Sequence, residues 1–404
     1  MKRSATKDQP VKIKTRRIAN VVDPKLAKEM LDFRIRLSAQ HAGFSIVKDW
    51  HPAVPKGWGE FQQLPVTKAT VFRGDDETRA YNHHQTITKF GDKYVASWSS
   101  GFLNEDFVGQ EVHFAWSRDA IEWSKDGVVA PTPIESNLVR NNVGLYASGD
   151  RLYCYVGVAQ QIRRDVADVE LSIIKELRLE VYFTTDLKNW KKLSSNIGKD
   201  VYLFEGPRET LEGKLMCCGW DLTDHHGKIL IWDDASRPDK EPRVVRLEQS
   251  KDGVLPIQGT WYQTQDHRIW AYFRDDSLSC RLGLTWSDNG GDNWADLVYT
   301  DFPNTYSRAY AGKLADGRYF IVGNNYDILL NRRHMLIALS NDGRKFDRQY
   351  TILQTNATRR VNGRHKEDGC AYPNCYVDGN KLLTIYSVNK EDIEVSTVDT
   401  TSFK

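Results

Sequence analysis

The sequence predicts an all-β fold of the β-propeller class, and three observations support this. From about residue 65 onwards, short apolar runs alternate with turn residues such as Gly-Asp and Asp-Gly, as in KYVASWSS and RLYCYVGV. Four of the runs are followed by the same motif, a Ser or Thr, any residue, an Asp or Asn and then an aromatic residue. The repeats are about 50–65 residues apart, the length of one four-stranded propeller blade.

The bulk composition is that of an ordinary soluble globular protein. The chain has 404 residues, 40% hydrophobic and 27% charged, with a net charge of +2. This balance predicts neither a nucleic-acid partner nor a membrane partner, and no apolar run reaches the roughly 18 residues of a membrane span. Twelve tryptophans and eighteen tyrosines indicate many strands and a surface suited to carbohydrate. The oligomeric state is left open.

The six cysteines have no metal-binding spacing, which favours free thiols in a cytoplasmic protein. The first residues, MKRSATKDQP, lack the apolar stretch of a signal peptide. A secreted protein without its signal would look the same.

The N-terminal part of the chain is predicted to lie outside the propeller. Residues 1–20 are predicted to be a disordered tail. One helix is expected in the lead-in segment 21–65, where Asp23 is the cap, Pro24 lies in the first turn, and LAKEMLDFRIRLSAQ has apolar residues three and four apart. The propeller is predicted over 66–404.

Six repeats can be counted in the propeller segment. The full motif occupies 117–123, 184–190, 287–294 and 340–346, and the runs 229–234 and 393–399 hold equivalent places without it. In each turn the Asp or Asn can bond its own backbone while the aromatic residue packs under the hairpin. The longer step before Thr184 predicts an insertion, QQIRRDVADVELSIIKE.

These turns resemble the Asp boxes of the sialidase-like superfamily, which lie on hairpins remote from the active site. The stretches YNHHQTITKFGDKYVASWSSG, FRDDSLSCRLGLTWSDNGGDNW and AYPNCYVDGNKLLTIYSVNKEDIEV also resemble propeller polysaccharide lyases, including ulvan lyases and rhamnose–glucuronate lyases. The resemblance covers roughly residues 65–400. It implies seven blades, and the seventh would have to draw on residues 40–75.

The chemistry of such a lyase guides the choice of site residues. Elimination requires a group that neutralises the uronate carboxylate, together with a base and an acid, often His or Tyr. A glycosidase would usually need two carboxyl groups about 5–10 Å apart. The starts of the predicted inner strands offer more His, Tyr and Arg than Asp or Glu, which favours elimination.

The first two blades supply the predicted catalytic pair. His84 stands at the start of the first inner strand, and strand alternation would turn His83 to the opposite face as a supporting, hydrogen-bonded residue. The resemblance implies that Tyr146 serves as acid or base and that Arg163 binds the carboxylate. Lyases of this type carry a second histidine about twenty residues after the first.

That region here reads SGFLNEDFVGQ and contains no histidine. Glu105 and Gln110 are therefore predicted to line the site instead. The later blades add further candidates for substrate binding, of which Arg274 is the favoured partner of the carboxylate. These candidates are Arg208, Trp261, Arg274, Arg308 and Tyr372. No CxxC pair, HExxH motif or acidic calcium loop occurs, so no metal or cofactor is predicted, and any metal would need ligands scattered along the sequence.

The sequence therefore predicts an enzyme that cleaves a uronate-containing oligosaccharide by metal-independent β-elimination at or near a chain end. Two alternatives remain open. A sialidase-like glycoside hydrolase would depend on Glu105, Glu205 or Asp276, with Arg73, Arg274 and Arg333 as a carboxylate-binding cluster. A non-catalytic propeller would bind a glycan or a protein and would not depend on His84.

Overall fold

A computed structural model describes residue 46 and residues 61–161, 174–221, 226–326 and 328–403. The predicted disordered tail and N-terminal helix lie outside the described residues, as does Arg163. In the described part, strands account for almost all regular structure, beside two short 3-10 turns at Ile134–Ser136 and Thr400–Ser402. No helix among these residues is long and apolar enough to cross a membrane.

The strands, in chain order, are β1 (Val66–Phe72), β2 (Tyr81–Phe90), β3 (Lys93–Gly101), β4 (Glu111–Ser117), β5 (Gly127–Ala130), β6 (Leu138–Ser148), β7 (Arg151–Gln161), β8 (Ile174–Thr184), β9 (Lys191–Ile197), β10 (Arg208–Glu209), β11 (Leu215–Trp220), β12 (Gly227–Trp232), β13 (Arg243–Arg246), β14 (Pro256–Gln263), β15 (Ile269–Asp275), β16 (Arg281–Ser287), β17 (Val298–Pro303), β18 (Tyr310–Lys313), β19 (Tyr319–Gly323), β20 (His334–Ser340), β21 (Arg348–Gln354), β22 (Cys370–Asp378), β23 (Lys381–Val388) and β24 (Asp392–Asp399).

The described strands form six four-stranded antiparallel sheets, the blades of a β-propeller. Blades one to five use consecutive strands, from β2–β5 to β18–β21. Blade six consists of β22, β23 and β24, and β1 is added as its outer strand, with Val66 opposite Val398. The ring is thus closed by its own N-terminal strand. The expectation of a seventh blade is wrong for this reason: part of the segment that would have supplied it completes the sixth.

The repeat positions predicted from the sequence are confirmed. Residues 117, 184, 231, 287, 340 and 395 each fall in the third strand of a blade. In the first motif the Asp119 carboxylate accepts hydrogen bonds from the backbone N–H groups of Ile121 and Glu122, at 2.8 and 2.9 Å. These turns join the third strand to the fourth. In an antiparallel blade that turn lies at the end opposite to the start of the inner strand.

Two described pieces of the lead-in segment pack against the later blades. Ile46 is buried, its N–H donates to the Asp301 carboxylate at 2.8 Å, and its carbonyl accepts from the Phe346 N–H at 2.7 Å. Leu64 donates its N–H to the carbonyl of Thr351 and joins the apolar cluster between blades five and six. All six cysteines are buried free thiols, as the spacing predicted.

Four of the six inner strands contain a β-bulge close to where they begin. The pairing register shifts between His83 and Thr86 in β2, and similar shifts occur in β6, β14 and β22. His84, Gln258 and Tyr372 occupy these bulges with φ near +56°, +51° and +56°. Because a bulge interrupts strict alternation, it re-aims side chains, here towards the propeller axis.

The inner strands of blades two and three approach so closely that glycine is required. A Cβ at Gly144 would lie 2.4 Å from the backbone nitrogen of Gly206. We expect Gly144→Ala to lower the free energy of unfolding by at least about 2 kcal/mol, because the contact is backbone to backbone and cannot relax by a rotamer change. Chemical denaturation measures the change. Gly157→Ala is the control, since its Cβ would meet nothing closer than 3.6 Å. Equal losses in both variants would contradict the assignment.

Candidate functional site

Side chains from four blades meet on the axis, at the end where the inner strands begin. We call this group the axial cluster; it comprises His83, His84, Glu105, Phe204, Gln258, Arg274, Tyr372 and Lys390. Side-chain exposure rises from 0% at His84 to 12% at Glu105 and 27% at Asp276, so the histidines lie deepest, and we call the approach to them from the rim the axial funnel. The Asp-box turns lie at the other end of the ring.

The two histidines face the same side, which corrects the expectation that strand alternation separates them. Their ring centroids are 4.7 Å apart. The bulge at His84 cancels the alternation, so both rings reach the axis. His83 contacts the Ser387 hydroxyl through Nδ1 at 2.7 Å, and His84 contacts the Ser99 hydroxyl through Nδ1 at 3.2 Å. Burial lowers the pKa of both rings, and that of His83 most strongly, so both are neutral at neutral pH.

Glu105 connects the histidines to a buried cation. Its Oε1 atom lies 3.2 Å from His84 Nε2 and accepts a hydrogen bond from the Tyr81 hydroxyl at 3.1 Å, and its Oε2 atom lies 2.8 Å from Lys390 Nζ. Burial by itself would raise the pKa of this carboxyl. Lys390 and His84 outweigh that effect and hold the pKa well below its usual range, so Glu105 is ionised.

Tyr372 is held by two donors from the fourth blade. Its phenol oxygen accepts hydrogen bonds from Gln258 Nε2 at 2.7 Å and from Arg274 Nη1 at 2.8 Å. Gln258 also accepts from Arg274 at 2.9 Å, so the three side chains form a closed triangle. The Tyr372 ring lies 4.2 Å from that of His83, measured between centroids. Two donors directed at one oxygen are an arrangement that stabilises negative charge on it.

Several buried guanidinium groups around Tyr372 retain free donors. Arg274 Nε and Arg332 Nε have no hydrogen-bond partner among the described residues, and the same is true of Nε and Nη1 of Arg308. Arg332 lies 5.6 Å from the centre of the Tyr372 ring, and Lys390 lies at the same distance. Buried donors of this kind are normally satisfied, so an anionic ligand is the natural acceptor.

A histidine from a distant part of the chain lies close to Asn104 and Glu105 at the rim. The Arg364 N–H donates to the Asn104 carboxamide oxygen at 2.7 Å, which brings the loop before β22 next to Glu105. His365 follows on that loop, is exposed, and is close enough for the Glu105 charge to act on it. The loop is anchored from below by the buried ion pair of Lys366 and Glu391, at 3.2 Å. A sequence search limited to the region near Asn104 could not find this residue.

Tyr146, the predicted partner of His84, is not brought to the axial cluster. It is half-buried and packs on Tyr153, with a centroid distance of 6.3 Å, beside the apolar cluster between blades two and three. Tyr372 is the tyrosine that approaches both histidines, and its ring centroid is 6.0 Å from that of His84.

Three other candidates have supporting positions. Gln110 donates to the Arg140 carbonyl and accepts from the Asp106 N–H, which fixes the loop that carries Glu105. Arg208 is sandwiched at 4.8 Å from both the Trp261 and Tyr310 rings, and Trp261 belongs to the apolar core. Both are therefore beside the funnel and not in it.

Two further arginines also lie away from the funnel opening. Arg308 is fully buried beneath the site and pairs with Glu205 at 3.4 Å. Arg333 lies 3.9 Å from Asp368, and its neighbour Arg332 is the arginine near the Tyr372 ring.

Sequence reasoning missed Lys390, Phe204 and Gln258. Phe204 stacks on the His84 ring at 3.9 Å with an interplanar angle of 11°. Lys390 lies in the turn between β23 and β24 and has a positive φ, and Gln258 sits in a bulge. Gln258 could have been found from its position near the start of an inner strand. No feature of the sequence indicates that Lys390 belongs to the site.

His83, His84 and Glu105 are also the group in the described residues that could hold a metal ion. Each offers one ligand atom, and the three atoms lie within 4.8 Å of one another.

Comparisons with known proteins agree with the fold. A family model described as a BNR repeat-like domain matches residues 93–385. No curated protein sequence matches the chain. Among solved structures, a sialidase is similar with a TM-score of 0.57 and 17% identity, over 84% of this chain and 33% of that one. The chain thus spans about one third of that sialidase's length.

Two further structures are similar over most of their own length. A protein of unknown function from Dyadobacter fermentans has a TM-score of 0.63 and 14% identity, over 82% of this chain and 97% of that one. An α-L-arabinanase from Penicillium chrysogenum, complexed with arabinobiose, has a TM-score of 0.53 and 12% identity, over 84% and 99%. At these identities the similarity shows the fold alone, a sialidase-like propeller. The family match covers most of the chain, which therefore belongs to the family of BNR repeat-like domains.

Proposed function

We propose that the protein is a carbohydrate-active enzyme that removes a terminal, carboxylate-bearing sugar by hydrolysis at the axial funnel. The observation that carries the proposal is the Tyr372 hydroxyl, which accepts hydrogen bonds from Gln258 and from the Arg274 cation. A tyrosine oxygen stabilised in this way can act as a nucleophile, as it does in sialidases. The solved structures with this fold include a sialidase and an arabinanase, both carbohydrate-active enzymes.

The charges around Tyr372 support an anionic sugar. Arg274 and Arg332 each have a buried Nε donor without a partner among the described residues, and Lys390 lies nearby. A sugar carboxylate would satisfy these donors in a bidentate manner that a neutral sugar could not match. The shared ligand chemistry is that of a uronate or a sialic acid.

The reaction divides into two displacements. The Tyr372 hydroxyl gives its proton to solvent and its oxygen forms a bond to the anomeric carbon while the glycosidic C–O bond breaks, and the leaving oxygen takes a proton from a group at the rim. Water then attacks the glycosyl-tyrosine and releases the sugar. Glu105 is ionised and does not supply the proton. The titratable groups near the rim include the exposed His365 and the half-buried Asp276, and the proton would come from one of them.

The funnel also suits action at a chain end. The stacked rings of His84 and Phe204 form its base and would stop a glycan from passing through the ring, which would confine the reaction to the end of a chain.

Elimination is the second candidate, and one observation favours it. His83 and His84 are neutral and lie beside Tyr372, so either ring could accept the proton next to a uronate carboxylate. Arg274 and Arg332 would then neutralise that carboxylate.

One assay separates the reactions. The full chain is incubated with uronate-capped and with sialic-acid-capped oligosaccharides, and products are followed by chromatography and by absorbance near the ultraviolet edge. We expect a saturated acidic sugar without new absorbance. An absorbing, unsaturated product would support elimination instead, and no turnover of either class would contradict both.

The same assay tests which tyrosine matters. Tyr146→Phe is expected to retain turnover within about twofold, because the Tyr146 ring packs away from the funnel and makes no contact with reacting groups. Loss of turnover in a stably folded Tyr146→Phe protein would restore this residue to the site.

A further inference from the structure

We propose that His83, His84 and Glu105 form a binding site for one divalent transition-metal ion of the zinc class. The function proposed above uses no metal, and this inference goes beyond it. Two imidazoles and a carboxylate are a ligand set of zinc sites that keep a fourth position open. The ligand atoms of the three side chains lie within 4.8 Å of one another.

The spacing suits tetrahedral coordination. His84 Nε2 and Glu105 Oε1 are 3.2 Å apart. Bonds of about 2.0 Å in a tetrahedron place neighbouring ligand atoms roughly 3.3 Å apart. A small rotation of the His83 ring would complete the third position, because that ring is already 4.7 Å from the His84 ring.

The two histidine nitrogens that would bind the ion make no aligned hydrogen bond to a described residue. His83 Nε2 is fully buried and has no hydrogen-bond partner among the described residues, and the His84 Nε2 atom makes no aligned hydrogen bond. A buried imidazole nitrogen without a hydrogen-bond partner is unusual, and a bound metal ion would account for it. Regular strand alternation would turn the two histidine rings to opposite faces of the sheet. The bulge turns both rings to the same side, so two imidazole ligands lie close together.

The opposite nitrogen of each ring is held by a hydroxyl. Ser387 contacts His83 Nδ1 at 2.7 Å and Ser99 contacts His84 Nδ1 at 3.2 Å. Tyr81 donates to Glu105 Oε1 at 3.1 Å. Such outer partners orient metal ligands, and all three groups of this site have one.

The positive charge of Lys390 should weaken the binding of a metal ion, and this effect provides a specific test of the site. Its ammonium contacts the other carboxylate oxygen, Oε2, at 2.8 Å, so Oε1 remains available. The ammonium charge repels a divalent cation. Lys390→Met should therefore tighten binding by about tenfold, which loss of a purely structural residue would not do.

The experiment is zinc titration of the full chain after treatment with a chelator, followed by isothermal calorimetry, with the visible spectrum of bound Co²⁺ as a second readout. We expect one Zn²⁺ per chain. His83→Gln and His84→Asn should each weaken binding on the order of 100-fold, since a lost direct ligand costs at least as much as a lost outer partner. Asn is chosen at 84 because it tolerates the left-handed backbone there.

His267→Gln is the matched control, because this exposed histidine lies on the opposite end of the propeller and contacts Glu212. It should bind zinc like the unaltered chain. Absence of stoichiometric binding of both Zn²⁺ and Co²⁺ would overturn the proposal, and so would unchanged affinity in both folded histidine variants. A chain that binds zinc but cleaves no acidic glycan would contradict the proposed hydrolysis alone, and a chain that cleaves but takes up neither Zn²⁺ nor Co²⁺ on titration would contradict the metal site alone.

Discussion

Tyr372→Phe is expected to lower kcat by at least about 10³-fold while leaving the protein folded. The substitution removes the oxygen that accepts hydrogen bonds from Gln258 and Arg274, and with it the proposed nucleophile. Gln258 and Arg274 still contact each other at 2.9 Å, so the site keeps its framework. The measurement is steady-state release of the acidic sugar, with thermal unfolding as the check on folding.

Separate measurement of kcat and KM distinguishes a nucleophile from a binding residue at position 372. The ring of phenylalanine preserves the contact with His83, and the cations that would hold the carboxylate are unchanged, so KM should change little. Turnover at the normal rate in Tyr372→Phe would remove Tyr372 from the chemistry. A raised KM with normal kcat would contradict its role as a nucleophile and make it a binding residue.

Glu205→Ala is expected to lower the free energy of unfolding by about 3–5 kcal/mol. Glu205 is the counter-charge of two arginines, with Arg308 at 3.4 Å and Arg208 at 2.5 Å. Arg308 is fully buried, and burial lowers its pKa, so the charge depends on its partner. Removal of the carboxylate leaves the fully buried Arg308 guanidinium without its counter-charge, while Arg208, whose side chain is 26% exposed, loses its closest ion pair. Chemical denaturation measures the loss.

An exposed ion pair gives the control. Lys251 and Asp296 contact each other at 2.5 Å, but their side chains are 80% and 53% exposed, so solvent screens the pair and Asp296→Ala should leave the denaturation midpoint essentially unchanged. Unaltered stability together with lost turnover in Glu205→Ala would argue that Glu205 is a reacting carboxylate, as the hydrolase alternative first supposed.

The sequence could predict the blades because their signals are local. Alternating apolar runs and the Ser/Thr–x–Asp turns depend on residues a few positions apart, and the Asp119 turn is built from its own neighbours. Regular spacing then implied a propeller. The six repeats counted in the sequence are the six blades, and only the seventh blade implied by the resemblance is wrong. The pairing of β1 with β24 could not be foreseen, because no local pattern marks a partner more than 300 residues away.

The candidate site was only partly within reach of the sequence. His84, Glu105, Arg274 and Tyr372 were all named, yet as separate residues with uncertain partners. The choice of Tyr146 as the catalytic partner followed a position in a resembling family, whereas Tyr372 is the tyrosine whose ring lies beside the two histidines.

What the sequence determined by itself is the set of strands, their turns and the repeated blade, because backbone preferences and side-chain alternation act over a few residues. Only the tertiary structure decided how the two histidines in YNHH are oriented and which residues they contact. A bulge with a left-handed His84 overrides the alternation, and ring closure brings Lys390 and Tyr372 from the last blade against the first. Contacts on the axis join residues from blades far apart in the chain, so only the closed ring could assemble the cluster.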